Sequence, residues 1–268
     1  MRQKNSRRHI MTEKKAASPA ISMVIITAAT VMLVLVAGSF AVQVIDREQA
    51  ATEFNALEKS ILALDDAVRD VAWKEGASRS VRFATSRGSF LTIATTRSVE
   101  IKFNGDPLGT PIQTSIIKYV MSDSYITLES EQSYILGDAD PVVSSVGDSL
   151  GQVSLVQESG FASINLGYRL RVSNEGEYQV SGMPTTYVNI MMIKLSSADL
   201  SFVNGDFNMI AKNTGVTTTS YVLPPHSEGD YEINVSIDEV EQNPPLLIHL
   251  TEGRTIFNLI IGEVRVSA

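Results

Sequence analysis

Hydrophobic and polar positions change period twice along this chain. From Ala16 to Ile45, thirty consecutive residues lack a charged side chain. A helix rises about 1.5 Å per residue and about 20 apolar residues cross a bilayer, so this run predicts a membrane-spanning helix. Beyond Ile45 the pattern becomes amphipathic. Ala50, Phe54, Leu57, Ile61, Leu64, Val68 and Val71 recur at alternating spacings of four and three, with charged residues between them. That is the stripe of a helix with one buried face. No Pro or Gly falls between Ser39 and Glu75. The pattern therefore predicts a single helix from Pro19 to Glu75, roughly 85 Å long, ended by Gly76 as a C-terminal cap. The stripe has two ways to be covered, by the chain's own β domain, which is the default, or by neighbouring subunits.

After Gly76 the period falls to two. Val81 and Phe83, then Phe90 and Ile93, then Val99, Ile101 and Phe103 alternate with polar residues. Ser-Arg-Gly-Ser at 86–89 and Asn-Gly-Asp-Pro at 104–107 read as turns, which predicts a three-stranded meander. Further strand-like segments follow, from "TSIIKYVMS" through "DFNMIAKNTG", "TTTSYVLP" and "YEINVSIDEV" to the apolar "IFNLIIGEVRVS", which predicts a central strand. "DPVVSSVGDSLGQ" predicts a loop with a short helical turn. The fold class expected is α+β: a long N-terminal helix and then an antiparallel β-rich head, a sandwich or a large twisted sheet, with the sandwich favoured.

Charge orients the chain. Residues 1–15 hold six basic groups, Arg2, Lys4, Arg7, Arg8, Lys14 and Lys15, against Glu13 alone; the remainder has 16 basic and 29 acidic residues, a net of −13. A basic cluster before an apolar helix predicts a cytoplasmic N-terminus and an acidic extracellular body. The same acidity argues against nucleic acid as a partner. There are no cysteines, which excludes disulfides, thiol catalysis and Cys-ligated zinc.

The apolar run has three candidate fates. Conventional signal cleavage at "AGSFA", 37–41, requires an unusually long apolar core. "SRRHIM" at 6–11 is similar to a twin-arginine signal, but Glu13, Lys14 and Lys15 separate it from the run. A plain signal-anchor needs nothing further. The third comes from the junction "KKAASPAIS", which resembles the class III signal of archaeal type IV pilins and related pilin-like proteins. The resemblance covers about thirty residues of the chain. It implies that a prepilin peptidase recognises Lys14, Lys15 and Ala16 and cuts before Ala17, so the leader is residues 1–16. Ser18 and Pro19 also match the look of archaeal pilin N-termini. Many bacterial pilins carry Glu at the fifth mature position, where this chain has Ile21, which points away from the bacterial type. Such processing retains the helix on the mature protein, where small residues such as Ala28, Ala29, Ala37 and Gly38 allow close packing on identical helices.

Chemistry-bearing motifs are few. There is no G-x-S-x-G, H-E-x-x-H, phosphate loop or G-x-G-x-x-G, so no enzyme activity and no cofactor is expected. "NGD" at 104–106 and 204–206 and "DAD" at 138–140 lack calcium-loop spacing and read as turns. His226 in a Pro-rich loop and His249 in a strand pattern read as surface or packed residues. "NVS" at Asn234–Ser236 is the only N-glycosylation sequon.

The expected organisation is a leader at 1–16, a membrane or filament-core helix at 17–45, an amphipathic extension at 46–76 and an extracellular β-rich domain at 77–268. The expected function is a minor pilin-like subunit, anchored in the cell membrane by one span before assembly into a surface filament and serving adhesion. Its expected partners are the membrane, prepilin peptidase and other pilin subunits. The rival is a single-span membrane-anchored surface protein whose β domain binds a ligand or envelope component without polymerising.

Overall fold

The computed structural model describes residues 17–91, 97–145, 147–197, 203–238, 240–242 and 244–268. Lys14, Lys15 and Ala16 lie outside the described residues. Helix α1, Ala17–Ala72, runs unbroken through the apolar and amphipathic segments. The chain divides into two compact units, 1–49 and 50–268.

In the second unit the heptad stripe is the core of the helix–sheet packing. Ala50, Phe54, Leu57, Ile61, Leu64, Val68 and Val71 are each at most 2% exposed. The helix stops at Ala72, three residues before the expected Glu75, and a turn closes it with Lys74 N–H donating to Val71 O and Ala77 N–H to Lys74 O. Gly76, at φ +76°, takes the left-handed conformation expected of a helix cap. The early stop has a tertiary cause. Buried Asn213 donates from Nδ2 to Ala72 O at 2.6 Å, supplying a partner that the helix end lacks. Gly262 lies beneath the same carbonyl, where a Cβ would come within 2.5 Å of Ala72 O.

Among the described residues sixteen strands follow. The first eight are β1 Ser78–Leu91, β2 Arg97–Phe103, β3 Asp106–Pro107, β4 Ile112–Thr114, β5 Ile117–Ser122, β6 Gln132–Leu136, β7 Val142–Val143 and β8 Gly151–Glu158. The rest are β9 Phe161–Tyr168, β10 Leu170–Val180, β11 Met183–Ser197, β12 Val203–Val222, β13 Gly229–Ile237, β14 Val240–Glu241, β15 Leu246–Leu250 and β16 Arg254–Ser267. Ten form one sheet in the order β6-β8-β9-β5-β1-β12-β16-β11-β10-β7. The six-stranded sheet carries β14, β13, β2 and β3 in order, with β15 on β13 and β4 on β2. Among the described residues pairing is antiparallel except in two places: β11 runs parallel to β16, Thr185–Ser197 against Arg254–Val266, and β10 runs parallel to β7.

One expected turn and one expected boundary between strand segments are instead interruptions within strands. Ser86–Ser89 does not end a strand; β1 continues to Leu91, and its ladder to β12 shifts between Thr85 and Phe90 as it begins to pair with β5. β2 does not continue a meander with β1 but joins the other sheet against β13. Likewise "DFNMIAKNTG" and "TTTSYVLP" belong to one strand, β12, whose register against β16 slips between Asn213 and Gly215. The second "NGD" also lies in β12, with Gly205 at φ +93°, while the first makes the β2–β3 turn.

Two apolar clusters organise the β-rich unit. The first gathers the helix stripe with Phe83, Phe90, Tyr119, Ile164, Met209 and their neighbours from the ten-stranded sheet. The second gathers Val99, Ile101, Ile233 and Val235 from the six-stranded sheet with Val172, Val188, Ile190 and Phe257 from the larger one. The pleat explains how long strands serve both. On β11, Val188, Ile190 and Met192 enter the second cluster while Ile193 and Leu195, on the opposite face, enter the first. On β16, Phe257 and Leu259 contrast with Val264 and Val266 in the same way.

Candidate functional site, an uncovered apolar helix surface

Within the first unit, helix α1 exposes apolar side chains all round. From Ile21 to Ile45 the large hydrophobics are uncovered, with Met23 72% and Leu33 70% exposed. Burying a side chain of this kind is worth about 1.5–3 kcal/mol, so leaving more than a dozen of them in water is strongly unfavourable. The segment is long and apolar enough to cross a membrane. Three of its hydroxyls are bonded to the helix's own backbone: Thr27 Oγ1 donates to Met23 O at 2.8 Å, Thr30 Oγ1 to Ile26 O at 2.7 Å and Ser39 Oγ to Val36 O at 2.8 Å. Bonding these hydroxyls to the helix backbone lowers the cost of placing them in lipid or a packed apolar bundle. The first charge after the run is Asp46.

Polar groups on the other half of α1 fix the helix to the sheet. Glu53 Oε1 accepts hydrogen bonds from Ser86 N–H at 2.9 Å, Arg87 N–H at 3.1 Å and Tyr119 Oη at 3.1 Å, and Oε2 accepts one from Ser86 Oγ. Burial pushes this carboxyl up, but those hydrogen bonds outweigh it and hold it below the ordinary 4.5. The Ser86–Ser89 kink in β1 is thus built around a helix carboxylate. Asp65, only 1% exposed, accepts from Arg69 Nε at 2.8 Å. Burial raises its pKa, opposed by the charge and hydrogen bond of Arg69. Burial and then the Asp65 charge push the facing Tyr168 phenol well above its ordinary range. The heptad pattern assigned these carboxylates to the solvated side. The one sequence signal for Asp65 is a basic residue four positions on, at Arg69.

The remaining sequence candidates scatter. Asn234 lies in β13 opposite Lys102, half-buried, its Oδ1 enclosed without a hydrogen-bond partner, and Ser236 of the sequon is buried. His226 Nε2 is 2.7 Å from Thr255 Oγ1, and its ring packs edge-on to Tyr231. His249 is exposed on β15, with Nδ1 2.9 Å from Asp230 Oδ1 and Nε2 3.4 Å from Glu228 Oε1. Its hydrogen bond to Asp230 raises its pKa above 6.5, with Glu228 adding to the effect. The "DAD" segment supports a buried cation: Asp138 Oδ1 accepts from Arg169 Nη1 at 2.6 Å, and Arg169 is 2% exposed. Among the described residues, no three His, Asp or Glu side chains form a cluster that could hold a metal ion. A shallow cleft of about 470 Å³ on the larger sheet is lined by Glu175, Tyr178, Tyr187, Asn189 and Asn258.

These features define an α+β protein in which a β-rich domain is joined to one candidate membrane-spanning helix. Comparison with protein-family models, with curated proteins and with solved structures found no match.

Proposed function

We propose that this chain is a minor pilin-like subunit of an archaeal type IV filament system, held in the cell membrane by the apolar half of α1 with its β-rich domain outside. The observation that carries this reading is the division of labour along one helix. Residues 50–71 are locked into the β-rich unit, while Ile21–Ile45 offers an apolar surface that its own unit does not cover. A filament subunit needs such a helix first to wait in lipid and then to pack on copies of itself. The "KKAASPAIS" junction supports the same reading, because a cut before Ala17 on the cytoplasmic side removes the basic leader and keeps the helix. The basic leader and acidic body set the orientation by the positive-inside rule. The two sheets that share the second apolar cluster are read as a β-sandwich, with adhesion as its role by analogy.

The test is the N-terminal sequence and intact mass of the full chain expressed with and without an archaeal prepilin peptidase. The expected result is a new terminus at Ala17 that appears only with the peptidase and is lost when Lys15 is replaced. An unprocessed terminus in both hosts would overturn the pilin reading. It would leave a single-span surface protein, for which the Tyr178–Tyr187 cleft is the first ligand site to probe.

A further inference from the structure

Strand β12 outlasts its neighbour. Its ladder to β1 ends at Lys212, paired with Ser78, and Asn213 N–H still reaches Ala77 O. From Gly215 to Val222 it pairs with β16 alone, in unbroken antiparallel register. Among the described residues no strand pairs with the other edge of this stretch. Val216–Ser220 are exposed at every position, so neither face is covered there.

The direction of the free backbone groups follows from the register. Leu223 N–H donates to Thr255 O, across the ladder to β16. In an antiparallel ladder alternate residues bond the same neighbour. Gly215, Thr217, Thr219 and Tyr221 therefore turn to β16, and Val216, Thr218, Ser220 and Val222 turn their N–H and C=O groups outward. Their sequence, "TGVTTTSYV" at 214–222, is β-prone and contains no charge and no proline. Proteins ordinarily protect a free edge with charges, bulges or brevity. The β10 edge of the same sheet carries Glu175 and Glu177 and a register shift at Gly176. β6 is a five-residue strand. The β12 edge has none of these devices along its outward run.

We propose that the free edge of β12 pairs antiparallel with the same edge of a second copy of this chain, joining two ten-stranded sheets. One register satisfies all four outward residues at once. With Thr219 on the twofold axis, Val216 meets the partner copy's Val222 and Thr218 meets its Ser220, each pair exchanging both backbone hydrogen bonds, about eight bonds in total. Every cross-strand pair is uncharged, so self-pairing brings no like charges together. The β10 edge, by contrast, would set Glu175 and Glu177 against their counterparts. The contact is small for a stable dimer in dilute solution. Anchoring both copies in one membrane raises their effective concentration without new contacts. This pairing does not depend on whether the leader is cut.

The chain contains no cysteine, so single-cysteine variants report the register directly. Residues facing across a non-hydrogen-bonded antiparallel pair lie close enough for a disulfide, whereas diagonal neighbours about 7–8 Å apart do not. The experiment is oxidative cross-linking of full-length Thr219→Cys, Thr218→Cys, Ser220→Cys and, on the β10 edge, Ser173→Cys, in host membranes. Thr219→Cys is expected to give a disulfide-linked dimer and the other three only background. Adding Thr218→Lys to Thr219→Cys should abolish the dimer, with an unchanged Trp73 fluorescence melt showing that the fold is intact. Equal cross-linking at Ser173→Cys, persistence of the dimer in the Thr218→Lys background, or linkage of Thr219→Cys to a different protein would each overturn the proposal. N-terminal sequencing of the same samples reads the leader separately, so either idea can fail alone.

Discussion

Removing the Glu53 carboxylate should loosen the helix from the sheet by an amount that the geometry allows to be divided. Its two oxygens accept four hydrogen bonds, three on Oε1 and one on Oε2. Glu53→Gln keeps the shape: a Gln carbonyl in the place of Oε1 accepts the same three, and its amide donates to Ser86 Oγ. What it loses is the charge assistance, expected to cost about 1–2 kcal/mol. Glu53→Ala removes every acceptor and leaves Tyr119 Oη and two backbone N–H groups unpaired. Ser86 is exposed and rehydrates, so the total loss should be about 3 kcal/mol rather than the sum of four bonds. For a domain of this size that corresponds to a drop in Tm of roughly 6–12 °C. Trp73 is the only tryptophan and packs at the helix end beside the first cluster, so fluorescence melts of the detergent-solubilised chain read the event. The pH dependence supplies an independent sign. Because the folded carboxyl sits below 4.5, its contribution is present above that value and is lost as pH falls through the lower folded pKa. Wild type should therefore lose an increment of stability below pH 4.5 that Glu53→Gln never had. Equal Tm values for the Gln and Ala variants, or parallel acid limbs for wild type and Glu53→Gln, would refute this account.

Truncating the stripe by Leu57→Ala or Ile61→Ala, both at most 1% exposed, should each cost about 2–5 kcal/mol in chemical denaturation. Gly262→Ala forces a methyl against Ala72 O and should lower stability by about 1–3 kcal/mol, with a shift in Trp73 emission because that ring lies 3.2 Å from the new atom. Asn213→Ala leaves the Ala72 carbonyl without its donor and should cost about 1–3 kcal/mol, seen as faster amide exchange in the last helical turn. For His249 the folded pKa is raised, so its pairing with Asp230 is intact below about pH 6.5 and is lost as pH rises through the folded value. Asp230→Asn should move its NMR titration midpoint down; an unmoved midpoint would mean that the contact at 2.9 Å carries no charge coupling in solution.

What the sequence disclosed followed the range of each signal. The stripe from Ala50 to Val71 depends on a period within the helix itself, and all seven positions are buried. The apolar run was likewise legible, because its meaning depends on length and composition alone. The kink at Ser86–Ser89 was not. Its residues favour turns, and what makes it an interruption inside β1 is a carboxylate 33 positions earlier and a change of partner from β12 to β5. The parallel pairing of β11 with β16 has no local signature, since either strand would read the same beside another neighbour. Asp65 was misplaced because a charge on a helix is ordinarily solvated, and only the fold reveals that Arg69 and Tyr168 enclose it. The residues that carry the functional expectation, Lys14 to Ala17, were found by resemblance to a processing signal rather than by any pattern of packing.

The position of β16 has a bearing on biogenesis. It is bonded on both sides, to β11 and to β12, yet it follows both of them and every other described strand in sequence. Because synthesis proceeds from the N-terminus, β11 and β12 are made before the interior strand that joins them in the larger sheet. Until residues 254–267 arrive, β11 and β12 have no partner between them, and the larger sheet stays incomplete. A closure of this kind, by non-local pairing, holds back folding of the whole β-rich unit until β16 is available. It also leaves the chain most vulnerable to proteases in the interval before β16 is drawn in.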